Sequence, residues 1–185
     1  MPTSQANAVA EKFAAVSGDH WIEELDDGSH VLIRPLRAED RDRERDFLNR
    51  LSPVTRRLRF QGEVKVSESL LDHLMNVDYA HSMAFIALVH DDGELREIGV
   101  SRYADTGDGR ECECAVTIAD DWQRLGLDLA LMRHLIDVAR RNGFEQMVSY
   151  DSAADARMRE LAGKLGFHAV LNPHDACQVT RCLEL

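Results

Sequence analysis

No stretch of this sequence is apolar for long enough to cross a bilayer. The longest such run, Met83 to Val89, falls far short of the ~20 residues a spanning helix needs. The N-terminus lacks a basic segment followed by an apolar one, so no secretory leader is expected and the chain is placed in the cytoplasm. Basic residues are in deficit: 22 Lys and Arg stand against 33 Asp and Glu, a net charge of −11. That excludes a nucleic-acid partner, since a polyanion needs a basic face. The C-x-x-C spacing of most zinc and redox sites is missing too. Instead, Cys112 and Cys114 form a C-x-C that puts both thiols on one face of a strand. Together with Cys177 and Cys182 they read as thiols in a reducing compartment, the pair buried. The eight histidines show no H-x-x-x-H spacing, so no metal site is expected. Ser52, Ser67 and Ser101 lack the strand-to-helix elbow of a nucleophilic serine. Repeats and low-complexity segments are absent.

What is present suits one globular domain. The 185 residues are enough for a sizeable core, and 44% hydrophobic with 30% charged content argues against disorder. Residues 1–20 read as an extension with a short helix over Ala8 to Val16, and residues 21–185 as the domain. Val31 to Leu36 is a predicted strand, with Pro35 marking an edge or a terminus. Glu39 to Leu51 is a charged helix with Phe47, Leu48 and Leu51 as its apolar patch, stopped by Ser52-Pro53. Ser67 caps a helix reaching Asn76. Met83 to Val89 is a central strand, followed by strands over Glu97 to Tyr103 and Glu111 to Ile118, an antiparallel meander. Leu127, Leu131, Leu135 and Val138 recur at helical spacing up to a Gly143 cap. Glu145 to Tyr150 is a strand, Asp155 to Leu165 a helix closed by Gly166, and Phe167 to Leu171 and Cys177 to Leu183 the last strands. The strand–helix–strand unit over 111–150 predicts a parallel crossover. The expected class is α/β (α+β): a mixed, mostly antiparallel sheet with helices on both faces.

The most informative segment is Trp122-Gln123-Arg124-Leu125-Gly126-Leu127-Asp128, between strand-like residues and a helix. A glycine turn at a helix start aims free N–H groups and the positive dipole end at an anion. Elsewhere, Arg56-Arg57-Leu58-Arg59 reads as a solvated basic turn, and His73 and His81 as solvated surface.

These residues resemble the GNAT superfamily of N-acetyltransferases, and within it the GNAT domain of bacterial Pat-type protein-lysine acetyltransferases. The resemblance runs over about 21–170 and is carried by "DGSHVLIRPLRAED", "LSPVTRRLRF", "VDYAHSMAFIALV", "CECAVTIADDWQRLGLDLALMRHLI" and "RELAGKLGF". It implies acetyl-CoA as acyl donor and an amine acceptor, a protein lysine or a small amine. It implies that Val116, Thr117 and Ile118 offer backbone groups to the pantetheine arm. Arg124, Leu125, Gly126, Leu127, Asp128 and Leu129 would wrap the pyrophosphate. Glu113 matches the strand glutamate that serves as general base. A carboxylate can take the proton an amine must lose before attacking a thioester. Glu111 and Glu113 share a strand face, roughly 7 Å apart.

Two positions depart from the family pattern. Asp128 stands where Gly or Ala is usual. A carboxylate ~4–5 Å from a phosphate charge costs roughly 3–4 kcal/mol at an effective dielectric near 20, on the order of a hundredfold in affinity. An Asp in a first helical turn returns only ~0.3–1 kcal/mol. Asp155 stands where an Asn that helps hold the cofactor is usual. These two acids motivate a second reading, a GNAT-fold binding or regulatory protein with a weakened CoA site. A Tyr common in the family five residues before Phe167 is Ala162 here, as in Pat-type domains.

Overall fold

The computed structural model describes residues 18–171 and 175–185. The helix expected over Ala8 to Val16 lies outside them. Strands β1 (Trp21–Glu24), β2 (His30–Pro35), β3 (Ser82–Asp91), β4 (Glu94–Asp105), β5 (Glu111–Ile118), β6 (Gln146–Ser152), β7 (His168–Leu171) and β8 (Gln178–Glu184) form one sheet in the order β1-β2-β3-β4-β5-β6-β8-β7. All neighbours are antiparallel except β5 and β6, the pair joined by the predicted crossover. From Met83 to Val89, β3 is buried at every position, as a strand covered on both faces requires.

Five α-helices accompany the sheet among the described residues: α1 (Arg41–Arg50), α2 (Pro53–Phe60), α3 (Glu68–Met75), α4 (Leu127–Arg141) and α5 (Ala156–Leu165). Leu127, Leu131, Leu135 and Val138 turn the apolar stripe of α4 onto the sheet, each at most 1% exposed. Gly99 lets α4 approach β4 closely: a Cβ there would stand 2.9 Å from Ile118 and 3.1 Å from Leu131. On the opposite face α1 buries Phe47 and Leu48.

The structure corrects several expectations. Ser52-Pro53 stops α1 but also starts α2: Ser52 Oγ accepts the Thr55 N–H at 3.2 Å, and Pro53 takes the first helical position, where its missing N–H costs nothing. Arg56 to Arg59 is therefore helical, not a turn. The expected Glu39 to Leu51 helix begins as a 3-10 turn, Ala38–Asp40, and becomes α-helical at Arg41. Pro35 ends β2, but β2 lies inside the sheet because the short β1, not foreseen from sequence, covers its edge.

Charged side chains enter the core under α1. Asp40 is fully buried and paired with Arg34 at 2.7 and 2.8 Å. Glu44 is buried against Arg102 at 2.9 Å. A bulge in β4 sets Leu88 opposite Glu97 and Ala87 opposite Gly99. Glu97 is 1% exposed, and neither of its carboxyl oxygens meets a hydrogen-bond donor among the described residues. Burial, and after it the Glu44 charge, push the Glu97 carboxyl well above the ordinary range.

Candidate active site

Strands β5 and β6 pair only from Glu111↔Gln146 to Glu113↔Val148 and then diverge. Beyond that point β5 runs to Ile118 and β6 to Ser152 without a ladder between them. The gap opens a narrow cavity of about 90 Å³ whose walls include Glu113, Val116, Thr117, Ile118, Asp128 and Asp155. The Thr117 hydroxyl is buried on this wall without a hydrogen-bond partner among the described residues. Such an orphan is costly unless something completes it.

Helix α2 bridges the gap. At its start, Asp120, just past β5, accepts from the Ser52 N–H at 2.9 Å, from Ser52 Oγ at 2.8 Å and from Thr55 Oγ1 at 2.7 Å. Past its end, the Gln61 amide donates to the Tyr150 carbonyl of β6 at 2.7 Å. Gln123 reaches back toward Thr55 and the Ile118 carbonyl, both at 3.4 Å.

From the gap a wider groove of about 920 Å³ runs over the glycine turn. Arg124, Leu125, Gly126, Asp128 and Leu129 line it; the Leu127 side chain does not, and is buried in the core instead. Arg124 at φ 66° and Gly126 at φ 80° hold the left-handed conformation that wraps the turn into α4. The Asp26 N–H donates to the Leu125 carbonyl at 3.1 Å, which ties the β1–β2 loop to this turn. Arg133, Arg157 and Lys164 add positive charge, and Lys164 is already bonded to Glu160 at 2.8 Å.

The two departing acids behave differently. Asp155 is the N-cap of α5 and accepts the Met158 N–H at 3.0 Å, a role Asp fills as well as Asn. Asp128 is half-buried between gap and groove, and its Oδ1 accepts the Leu129 N–H at 2.8 Å.

Adjoining the gap lies a third cavity, about 460 Å³, lined by His73, His81, Arg102, Asp105 and Glu113 among others. His73 and His81 are exposed, as expected. Glu113 is exposed and borders both this cavity and the gap. Arg59 also borders both, and is half-buried rather than solvated. The sequence reading put it in a solvated basic turn; the helical register of α2 was the signal that could have turned it inward. Loss of solvent, and next the Arg102 charge, lower the Arg59 guanidinium to about 10, so it stays cationic at neutral pH. Asp151, also on the gap, is pushed above the ordinary carboxylate range by burial, with Ser149 and Arg181 opposing. Cys112 and Cys114 are buried and free, and burial raises the Cys112 thiol to about 12. No group of three or more potential metal ligands occurs among the described residues, nor is any of their helices long and apolar enough to cross a membrane.

The splayed strands, the orphan hydroxyl and the glycine turn fit an elongated donor carrying amides and a pyrophosphate; the carboxylates that line the gap and groove, Asp128 and Asp26 at the turn among them, oppose it. The family profile described as an acetyltransferase (GNAT) domain matches residues 30–168. An acetyltransferase of Pseudomonas aeruginosa, PA5475, is 63% identical over the full length of both chains. The GNAT domain of S. lividans PAT superposes with a TM-score of 0.80 at 21% identity, over 90% of this chain and 97% of that one. The Salmonella typhimurium protein yncA, a putative acetyltransferase solved with acetyl-CoA, gives 0.67 at 20% identity, over 85% and 95%. Of the two readings of the acidic turn, these likenesses favour the enzyme. With its family profile, its relative and its splayed sheet all agreeing, the chain belongs to the GNAT acetyltransferases and shares the fold of the Pat GNAT domain.

Proposed function

We propose that this enzyme moves an acetyl group from acetyl-CoA to an amine by direct attack, with Glu113 as general base. One observation carries the reading: Glu113 stands where the gap between β5 and β6 meets the adjoining cavity. An amine entering from one side and a thioester from the other meet beside its carboxylate. When bound, acetyl-CoA supplies the activated acetyl group. Val116, Thr117 and Ile118 hold its amide-bearing arm, and the Thr117 hydroxyl gains the partner it lacks. The turn from Arg124 to Leu129 receives the pyrophosphate, with Asp128 as the opposing charge. Asp155 keeps α5 in place at the rim.

Glu113 takes a proton from the ammonium and frees the lone pair that attacks; the N–C bond then forms, the C–S bond breaks and the nitrogen gives up its second proton. Backbone N–H groups of β5 beyond the divergence polarise the carbonyl. The departing thiolate takes up the proton that the nitrogen gives up, so that CoA leaves as the thiol. The acceptor is an amine, a protein lysine by analogy with Pat or a small molecule, and the reaction runs in the cytoplasm.

Release of CoA with an amine acceptor, followed for the wild type and Glu113→Gln, tests the mechanism. The variant should lose about 10²–10⁴ in kcat while acetyl-CoA affinity stays the same by titration calorimetry. Unchanged kcat would remove Glu113 from the chemistry. No binding of acetyl-CoA at millimolar concentration would end the acetyl-transfer reading altogether.

A further inference from the structure

We infer that the acceptor of this enzyme is an amine bearing a carboxylate, and that Arg59 holds that carboxylate while Glu113 takes the proton from the nitrogen. The inference rests on the transfer reading above.

Four observations carry it. Arg59 projects from α2 into the place where the acceptor cavity meets the gap, bordering both with Glu113. Among the described residues its guanidinium makes no hydrogen bond or ion pair; the Phe60 ring lies 4.9 Å from Cζ. A half-buried guanidinium with its donors unspent is rare without a purpose, because its fork suits a carboxylate bidentately. Second, Arg102 nearby adds to its positive charge, and the carboxylates that act against it, Glu44 and Glu113, do so without bonding to it. Arg102 itself is committed, donating to the Leu74 carbonyl and to Glu44, both at 2.9 Å. Third, the other arginines of α2 are engaged elsewhere: Arg56 donates to the Asn49 and Leu51 carbonyls, and Arg57 to Glu63. Fourth, three acids, Asp128, Asp151 and Asp155, border the gap beside Arg157, and Arg59 stands where that gap meets the acceptor cavity. Glu113 and Asp105 supply the negative pole of that same cavity. An ammonium faces the acids and a carboxylate faces Arg59, which selects a zwitterion over a polyamine.

The carboxylate can belong to a free amino acid or to an acidic residue beside a lysine in a peptide. Three matched pairs of acceptors separate these: L-lysine against cadaverine, L-methionine against its decarboxylated amine, and a Glu-Lys against a Gln-Lys peptide. The full-length enzyme is assayed by CoA release, and L-lysine and cadaverine are titrated calorimetrically into the CoA-bound enzyme.

The proposal expects the carboxylate-bearing member to lead by at least about tenfold in kcat/KM. A lead in the first two pairs identifies a free amino acid; a lead in the peptide pair alone identifies an acidic neighbour of a protein lysine. Arg59→Ala should abolish the lead by raising KM for the carboxylate-bearing member, and retain acetyl-CoA binding, which also reports that it is folded. Arg59→Lys should restore part of it. Equal kcat/KM within every pair overturns the proposal and leaves acetyl transfer standing. So does an equal fall in kcat for both members in Arg59→Ala, which would put Arg59 on the thioester. If acetyl-CoA binds but no acceptor releases CoA, the transfer reading fails, and the L-lysine titration decides this proposal by itself: binding tighter than cadaverine and lost in Arg59→Ala upholds it, and its absence overturns it.

Discussion

Asp128 Oδ1 accepts the backbone N–H of Leu129 at 2.8 Å, so a carboxylate of the protein itself answers one of the free amides at the start of α4. An incoming pyrophosphate seeks the same amides and the same positive helix end. In the binding mode proposed above, the two anions compete for one place.

Asp128→Ala removes that competitor. Acetyl-CoA affinity should rise on the order of a hundredfold, from about 3–4 kcal/mol of repulsion at an effective dielectric near 20. The same change should cost the helix about 0.3–1 kcal/mol. Calorimetric titration and thermal unfolding should therefore move in opposite directions. An unchanged Kd would show that the phosphates pass elsewhere.

Asp155 predicts a different pattern because its Oδ1 is bonded to the Met158 N–H. Asp155→Ala should destabilise the protein by roughly 0.5–2 kcal/mol through the lost cap. Asp155→Asn keeps the cap and should leave unfolding nearly unchanged while binding acetyl-CoA more tightly than wild type. Denaturant melts of both variants, read beside their acetyl-CoA Kd, check this.

Glu97 makes stability depend on pH. Its carboxyl is raised in the folded state by burial first and the Glu44 charge second. A raised group contributes fully below its unfolded value, near 4.5, and that contribution is lost as pH rises through the folded value. Glu97→Gln keeps the shape and abolishes the titration. It should melt above wild type at pH 8, by roughly 2–4 °C for each kcal/mol released. The gap should close toward pH 4.5. A constant gap across that range would assign the effect to packing.

Much of this fold is legible in the sequence, for reasons that differ by element. Strand β5 has the bounds expected of it because turns flank it and apolar and polar residues alternate along it. Ser67 and Gly166 act as the caps they resemble. Helix α2 is hidden because Ser-Pro serves equally as a stop and a start, and its arginines mask a short apolar face. The four residues of β1 are too few for alternation to register. Arg59, Asp40, Glu44 and Glu97 share one cause of illegibility: a charge looks like surface until the partner that meets it, often from a distant strand, is known. Arg34 and Arg102 lie six and 58 positions from Asp40 and Glu44. The glycine turn was legible as a backbone shape, but which way the Asp128 carboxylate faces was not, since that depends on a single side-chain torsion.

Helix α2 has a consequence of a mechanical kind. It is anchored to Asp120 behind one diverging strand and, through Gln61, to Tyr150 on the other. A helix of eight residues is a strut about 12 Å long, and it does not stretch without losing its own hydrogen bonds. The width of the cleft is thus gauged by a fixed length of backbone. An acyl group too thick for that width has to break the Gln61–Tyr150 link to enter, and breaking it loosens the very helix that carries Arg59.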